Sequence, residues 1–222
     1  MLPMLHHAIA PTAEVRSTVL HARGLTGGPG PLALFHQVDV RLPAGVSALV
    51  GDEGVGKTSL MRLLAGDLAA TAGELWVGGG LVPLSRPQAA SVLWLDLRLP
   101  LHDEDTPEVF WTQLRQYLPD WSPEMQLSLV TDLQLKPHLG KRLNMLSTGS
   151  RRKVGLVAAL ASGAQVTLID QPFASLDTAS IRGIQNALRA VAQHPRRAWL
   201  IADYEPPADV PLASVLTLDT EA

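Results

Sequence analysis

The chain has 222 residues, 46% of them hydrophobic and 18% charged, with a formal net charge of −3; that is room for one large domain, or one domain with an insertion, and it argues against a dedicated nucleic-acid binder. It contains no cysteine, which excludes disulfides and thiolate metal sites and is compatible with a reducing compartment. No run of about 18 apolar residues occurs, so no stretch spans a bilayer by itself.

Met1 to Arg16 lacks the basic-then-apolar order of a secretory signal and reads as a short, loosely ordered extension (1–16) ahead of one domain at 17–222. Ser17 to Leu20 and Val38 to Leu42 read as short strands separated by the Gly-Gly-Pro-Gly-Pro turn at Gly27 to Pro31. Val46 to Val50 is an apolar β-type run. It leads into Gly51-Asp52-Glu53-Gly54-Val55-Gly56-Lys57-Thr58, after which Leu60, Met61, Leu63 and Leu64 follow at helical spacing up to Gly66.

That octet is the phosphate-binding pattern G-x-x-x-x-G-K-[ST] in its strand–loop–helix setting. A polyphosphate has to be wrapped by backbone N–H groups, so the loop uses glycines that allow close approach and unusual φ/ψ. Lys57 offers a point charge to the β and γ phosphates, the Thr58 hydroxyl offers a ligand to Mg²⁺, and the helix opening at Ser59 offers free N–H groups. Gly51 to Ser59 are therefore the candidate nucleotide-binding residues.

Further along, Glu74 to Val77 reads as a strand between glycines, and Ser91 to Leu95 as another that ends at Asp96. Thr106-Pro107-Glu108 and Ser122-Pro123-Glu124 then repeat one helix-start grammar: a hydroxyl cap, proline at the first helical position and an acid in the first turn. This predicts a helical insertion that begins at about residue 97 and, with the helix behind it, reaches about 160. Gln165 to Asp170 is a nearly continuous apolar strand of the kind buried on both faces. An amphipathic helix with Ile181, Ile184, Leu188 and Val191 follows, then Ala198 to Ala202 and Ser214 to Leu218 as strands. Alternation of this kind predicts an α/β fold around a mostly parallel sheet, with antiparallel N-terminal strands.

Asp170, closing an apolar strand beyond the phosphate loop, stands where a Walker B aspartate holds Mg²⁺. Between the insertion and that strand lies Leu146-Ser147-Thr148-Gly149-Ser150, and beyond it Ser175-Leu176-Asp177. Here the chain resembles the ATP-binding cassette (ABC) family, whose signature Leu-Ser-Gly-Gly-Gln opens a helix after a helical insertion and just before Walker B. The resemblance runs from about residue 17 to 218, with the motifs in the same order. It implies the P-loop NTPase fold of ABC ATPases, with ATP and Mg²⁺ as cofactors. Two cassettes would stack head to tail, as a homodimer or a heterodimer. Ser147, Thr148, Gly149 and Ser150 would then meet the ATP held by the partner cassette, and Asp177 would lie in the D-loop. A separate transmembrane permease subunit would place the chain at the inner face of the cell membrane, and no nucleic acid would be a partner. The run Leu168 to Phe173 and the compact insertion look most like the haem-exporter ATPase subunit of cytochrome c maturation, or short export cassettes. Arg outnumbers Lys 14 to 4, a composition that points to a GC-rich bacterial genome.

The chain departs from the family at several positions. The glutamate expected after Asp170 is Gln171, whose amide holds a water but accepts no proton. The histidine expected at the end of the next strand aligns with Tyr204, or else with Asp203. The glutamine expected near residue 96 is Asp96, a carboxylate within reach of Mg²⁺ or its waters. Thr148 and Ser150 replace a glycine and a glutamine of the signature. No aromatic residue clearly takes the adenine-stacking place, for which Phe35 and His36 are the candidates. The expected metal ligands are thus Thr58, Asp170 and Asp96, and the degenerate catalytic positions are Gln171 and Tyr204. The function implied is an ATP-binding subunit with weak or absent hydrolysis at its own site. The alternative is a non-hydrolysing, ATP-sensing cassette that acts as a binding module. Asp177, Asp203 and Glu205 are the other nearby carboxylates that could serve as base if the alignment is shifted. The basic run Arg151-Arg152-Lys153 reads as a solvated face, and the seven histidines show no metal-ligand spacing.

Overall fold

The computed structural model describes residues 3–9, 16–85, 90–96 and 102–220. Its elements are, in chain order, β1 (Pro3–Ile9), β2 (Thr18–Gly27), β3 (Phe35–Pro43), β4 (Gly45–Val50), α1 (Lys57–Leu64), β5 (Ala70–Val77), β6 (Gly80–Val82), β7 (Val92–Trp94), α2 (Pro107–Arg115), α3 (Pro123–Asp132), α4 (Thr148–Ala161), β8 (Val166–Asp170), α5 (Thr178–Val191), β9 (Ala198–Asp203) and β10 (Ser214–Thr220). Two short 3₁₀ turns, Lys136–His138 and Leu143–Met145, connect α3 to α4.

Two sheets are formed. One has the strand order β1-β10-β4-β9-β8-β7, parallel throughout except for β1; the other is antiparallel, in the order β3-β2-β5-β6. Alternate residues of the parallel strands face opposite sides. Ala198, Leu200 and Ala202 of β9 pack with α1 and the antiparallel sheet, while Trp199 and Ile201 pack with α2, α3, α4 and α5. Both faces of the parallel sheet are therefore covered, which is why its strands read as unbroken apolar runs rather than as alternating ones.

Helix starts follow their caps. Thr106 accepts from Val109 N–H at 3.4 Å and Ser122 from Met125 N–H at 3.1 Å. Ser147 caps α4 through Ser150 N–H at 3.2 Å, and Asp177 caps α5 through Ser180 N–H at 2.9 Å. These bonds satisfy donors that a helix otherwise leaves open. Helix α1 is the exception: its cap is Gly56, at φ 113°, and no side chain caps it.

Four strand readings change. Residues 3–9, read as part of a loose extension, form β1 and pair antiparallel with β10 from Pro3↔Thr220 to Ile9↔Ser214. Their partner lies some 200 residues away in the chain, so no local pattern announces the pairing. The strands expected at Ser17–Leu20 and Val38–Leu42 extend into β2 and β3, where register shifts around Ala22, Leu25 and Gly27 break the period-two alternation. β6 was not expected; Gly78 and Gly79, both at positive φ (59° and 84°), supply a two-residue hairpin loop between β5 and β6.

Candidate functional site

Parallel strands all end on the same edge of their sheet, and in open α/β sheets that carboxyl edge is where ligands sit. Here β4, β9, β8 and β7 stand side by side, so whatever follows each of them is gathered along one edge. The order across that edge is the Gly51–Gly56 loop and the first turn of α1 after β4, Tyr204 after β9, Asp170 and Gln171 at the end of β8, and Asp96 after β7. Val50 pairs with Asp203, Asp170 with Ala202 and Trp94 with Leu168.

The loop after β4 needs its glycines. Gly51, Gly54 and Gly56 have φ of 151°, 77° and 113°, conformations that side chains disfavour. At Gly51 a Cβ would come within 2.3 Å of the Leu218 carbonyl oxygen. Asp52, Glu53 and Gly54 are exposed, whereas Val55 is buried and anchors the loop to the core. Lys57 is 6% exposed, and its ammonium donates to the carbonyls of Gly51 at 2.6 Å and Asp52 at 2.8 Å. The Tyr204 ring lies over it, 5.0 Å from Nζ to the ring centroid. Of the two residues the sequence left open at this position, Tyr204 is the one that meets Lys57. Asp203 instead accepts from the Tyr204 N–H at 2.9 Å.

Thr58 Oγ1 donates to Asp170 Oδ2 at 2.6 Å, across 112 residues of chain. The two oxygens expected to serve Mg²⁺ thus face one another. Two protein oxygens suit this ion, which keeps several waters and takes its remaining ligands from phosphate. Among the described residues no three His, Cys, Asp or Glu gather into a metal-holding group. Asp96 lies on a cavity of about 430 Å³ whose lining also includes Asp170, Gln171, Thr148 and Arg152. Gln171 has φ 46°; its N–H donates to Ala202 O at 2.8 Å and its carbonyl accepts from the Arg152 guanidinium.

The signature segment is set by the first turn of α4. Ser147 and Thr148 are exposed, and Ser147 also donates to Ser150 Oγ at 3.0 Å. Gly149 is required sterically: a Cβ there would stand 2.6 Å from the Ser175 carbonyl oxygen. The signature turn and the Ser175–Asp177 loop are therefore in backbone contact.

The basic run is not a solvated face. Arg151 pairs with Asp103, Arg152 reaches Gln171, and Lys153, with a side chain 14% exposed, pairs with Asp177 at 2.9 Å and donates to Leu133 O at 3.3 Å. The misreading has a simple cause, since each partner lies at least 19 residues away. The Lys153 ammonium, with the Ser180 N–H and hydroxyl, holds the Asp177 carboxyl well below the usual carboxylate range. Asp177 is thereby committed to a cap and an ion pair, and makes a poor general base.

Of the two aromatic candidates for stacking, Phe35 is buried, and its Cζ would lie 3.1 Å from a Cβ at Gly56. It is a floor beneath the phosphate loop rather than a surface for a ring. His36 is exposed, with Nε2 3.1 Å from Ala33 O.

A family model described as "ABC transporter" matches residues 35–174. The phosphonates import ATP-binding protein PhnC of Hydrogenovibrio crunogenus is 32% identical over 171 residues, 70% of this chain and 63% of that protein. The cytochrome c biogenesis ATP-binding export protein CcmA of Pseudomonas putida (strain GB-1) is 31% identical over 173 residues, 77% of this chain and 82% of that protein. This chain thus spans less than two thirds of the length of PhnC. Among solved structures, an ATP-binding subunit of an ABC transporter superposes with a TM-score of 0.69 at 19% identity, over 83% of this chain and 79% of that one. A bacterial Atm1-family ABC exporter with ATP bound superposes with a TM-score of 0.70 at 18% identity, over 96% of this chain and 39% of that one. At such identities the superpositions establish the fold, an ABC ATPase architecture. With the family model matched over more than half its length, the chain belongs to the ABC transporter family.

Proposed function

We propose that the chain is the ATP-binding subunit of an ABC transporter, which binds ATP·Mg²⁺ at a head-to-tail interface between two cassettes and drives a separate membrane subunit. Hydrolysis at its own site is weak or absent. The observation that carries this reading is the convergence of Lys57, Thr58, Asp170 and Gln171 on one sheet edge, with an amide where a carboxylate base would act. In this reading Lys57 neutralises the phosphate chain, and the uncapped N-terminus of α1 donates backbone N–H bonds to it. Thr58 and Asp170 would hold Mg²⁺, with Asp96 near enough to hold its waters; the ion, when bound, draws charge from the phosphate oxygens. The Gln171 amide orients a water without taking its proton, and losing a general base typically costs about 10²–10⁴ in rate. Ser147, exposed as the cap of α4, and the Gly149 N–H would complete the partner's site rather than this one.

The relatives named as ATP-binding proteins of import and export systems support the transporter role, and CcmA agrees with a short export-type cassette. The permease and second cassette, ATP and Mg²⁺, and a place at the inner face of a bacterial membrane follow from the same reading. No helix among the described residues is long and apolar enough to cross a membrane, so the spanning part would lie elsewhere. A second reading, an ATP-sensing cassette without turnover, is favoured by Gln171 and by Tyr204 over Lys57. Equilibrium ATP·Mg²⁺ binding by the purified chain and by Lys57→Ala tests the core of both. The expected result is binding by the native chain weakened at least tenfold in the variant; equal binding would remove Lys57 from the site. Steady turnover at an ordinary cassette rate would remove the sensing reading.

A further inference from the structure

An ammonium has three N–H donors. Those of Lys57 have three partners: the Gly51 carbonyl at 2.6 Å, the Asp52 carbonyl at 2.8 Å and the face of the Tyr204 ring, 5.0 Å from Nζ to its centroid. Since Lys57 is 6% exposed, a phosphate oxygen reaches the ammonium only by displacing one of them. The two carbonyls belong to the loop itself and accept charge-assisted bonds, the strongest of the three contacts. The ring is on a side chain 50% exposed, beyond the end of β9, and a cation–π contact is the weakest of the three.

We infer that Tyr204 is an affinity-setting competitor at the phosphate seat: its ring holds the place that an incoming phosphate oxygen must take on Lys57. This rests on the ATP-binding reading and deepens it. The competition acts at the phosphate end of the ligand, so it falls equally on any polyphosphate that engages Lys57, whatever base it carries. A stronger ring donor raises the barrier to occupancy and an aliphatic side chain of similar bulk removes it. Tyr204 therefore makes this site demand a higher nucleotide concentration before it fills.

The test is calorimetric titration of ATP and of inorganic tripolyphosphate, both with Mg²⁺, into the native chain, Tyr204→Leu and Tyr204→Trp. Tyr204→Leu is expected to bind both ligands about three- to tenfold more tightly than the native chain, the factor corresponding to a partly desolvated cation–π contact. Tyr204→Trp, with the better π donor, is expected to bind both more weakly. Measurable binding by the native chain, with Tyr204→Leu equal or weaker for both ligands, overturns the inference and makes the ring a bystander or a phosphate ligand. A change seen with ATP and not with tripolyphosphate also overturns it, because the ring would then act on the nucleoside. Absence of ATP binding in all three chains overturns the ATP-binding reading instead. The Trp variant keeps the inference open to refutation should Tyr204→Leu not fold.

Discussion

The Arg152 guanidinium, in the second turn of α4, donates to the main-chain carbonyl of Gln171 just after β8. The Gln171 N–H is bonded to Ala202 O at 2.8 Å, so the backbone of this left-handed residue is held on both sides. A change of side chain at 171 therefore alters the chemistry in a fixed setting. Gln171→Glu is expected to raise ATP turnover by about 10²–10⁴ over the native chain, read as phosphate release alongside ATP affinity for both. Brisk turnover by the native chain would show that another group takes the proton. In the Gln171→Glu chain, Arg152→Met is expected to cut turnover by about tenfold, because a loosened carbonyl lets the carboxylate drift from its line of attack.

Thr58 and Asp170 meet at 2.6 Å, so either should be needed for the metal and neither for the fold alone. Thr58→Val and Asp170→Asn are expected to weaken ATP binding in the presence of Mg²⁺ by about tenfold or more while changing ATP affinity in EDTA far less. An equal loss with and without Mg²⁺ would assign the pair to structure instead.

Gly149 and Ser175 illustrate a steric requirement. A methyl group at 149 meets a backbone carbonyl at 2.6 Å, which cannot swing aside as a flexible side chain would. Gly149→Ala should lower stability by about 1–3 kcal/mol, the usual range for overpacking, visible as a reduced denaturation midpoint. Unaltered stability would mean that the signature turn and the Ser175 loop separate freely.

The Asp177 carboxyl is held below its ordinary value by Lys153 and Ser180. Its folded pKa lies below its unfolded one, near 3.9, so the stabilisation is present above about pH 4 and is lost as pH falls toward the folded value. Lys153→Met should therefore lower the urea midpoint at pH 7, and the gap from the native chain should narrow as the pH is taken below about 4. A gap independent of pH would point to lost packing of the lysine stem.

His194 carries a second pH dependence, of a different origin. Its Nδ1 accepts the backbone N–H groups of Arg196 at 3.2 Å and Arg197 at 3.1 Å, which requires that nitrogen to be unprotonated. Burial, then the charges of Arg197 and Arg196, push its pKa down. The unfolded chain takes up the proton more readily, so stability should fall as pH drops through about 6.5. His194→Asn, which keeps an acceptor oxygen and loses the titration, should flatten the denaturation midpoint between about pH 8 and 5.5. An undiminished slope would place its source elsewhere.

Much of the site was legible in the sequence because its chemistry is local. The octet Gly51 to Thr58 needs glycines, a lysine and a hydroxyl in consecutive positions to wrap phosphate, and the buried parallel strands announce themselves as apolar runs ending in Asp170 and Asp96. The caps at Thr106 and Ser122 are likewise local bonds spanning three residues. The order of strands across the sheet was decided only in three dimensions, since the pairings that set Tyr204 between the phosphate loop and Asp170 join separate elements of the chain, Val50 to Asp203 and Asp170 to Ala202. The same is true of β1 against β10, and of the run Arg151–Lys153, whose charges read as solvated but are bonded to Asp103, Gln171 and Asp177. The reason is physical: a spacing in the chain encodes which groups share a turn of helix or a loop, whereas a long-range contact depends on how separate elements pack, and no local pattern records that.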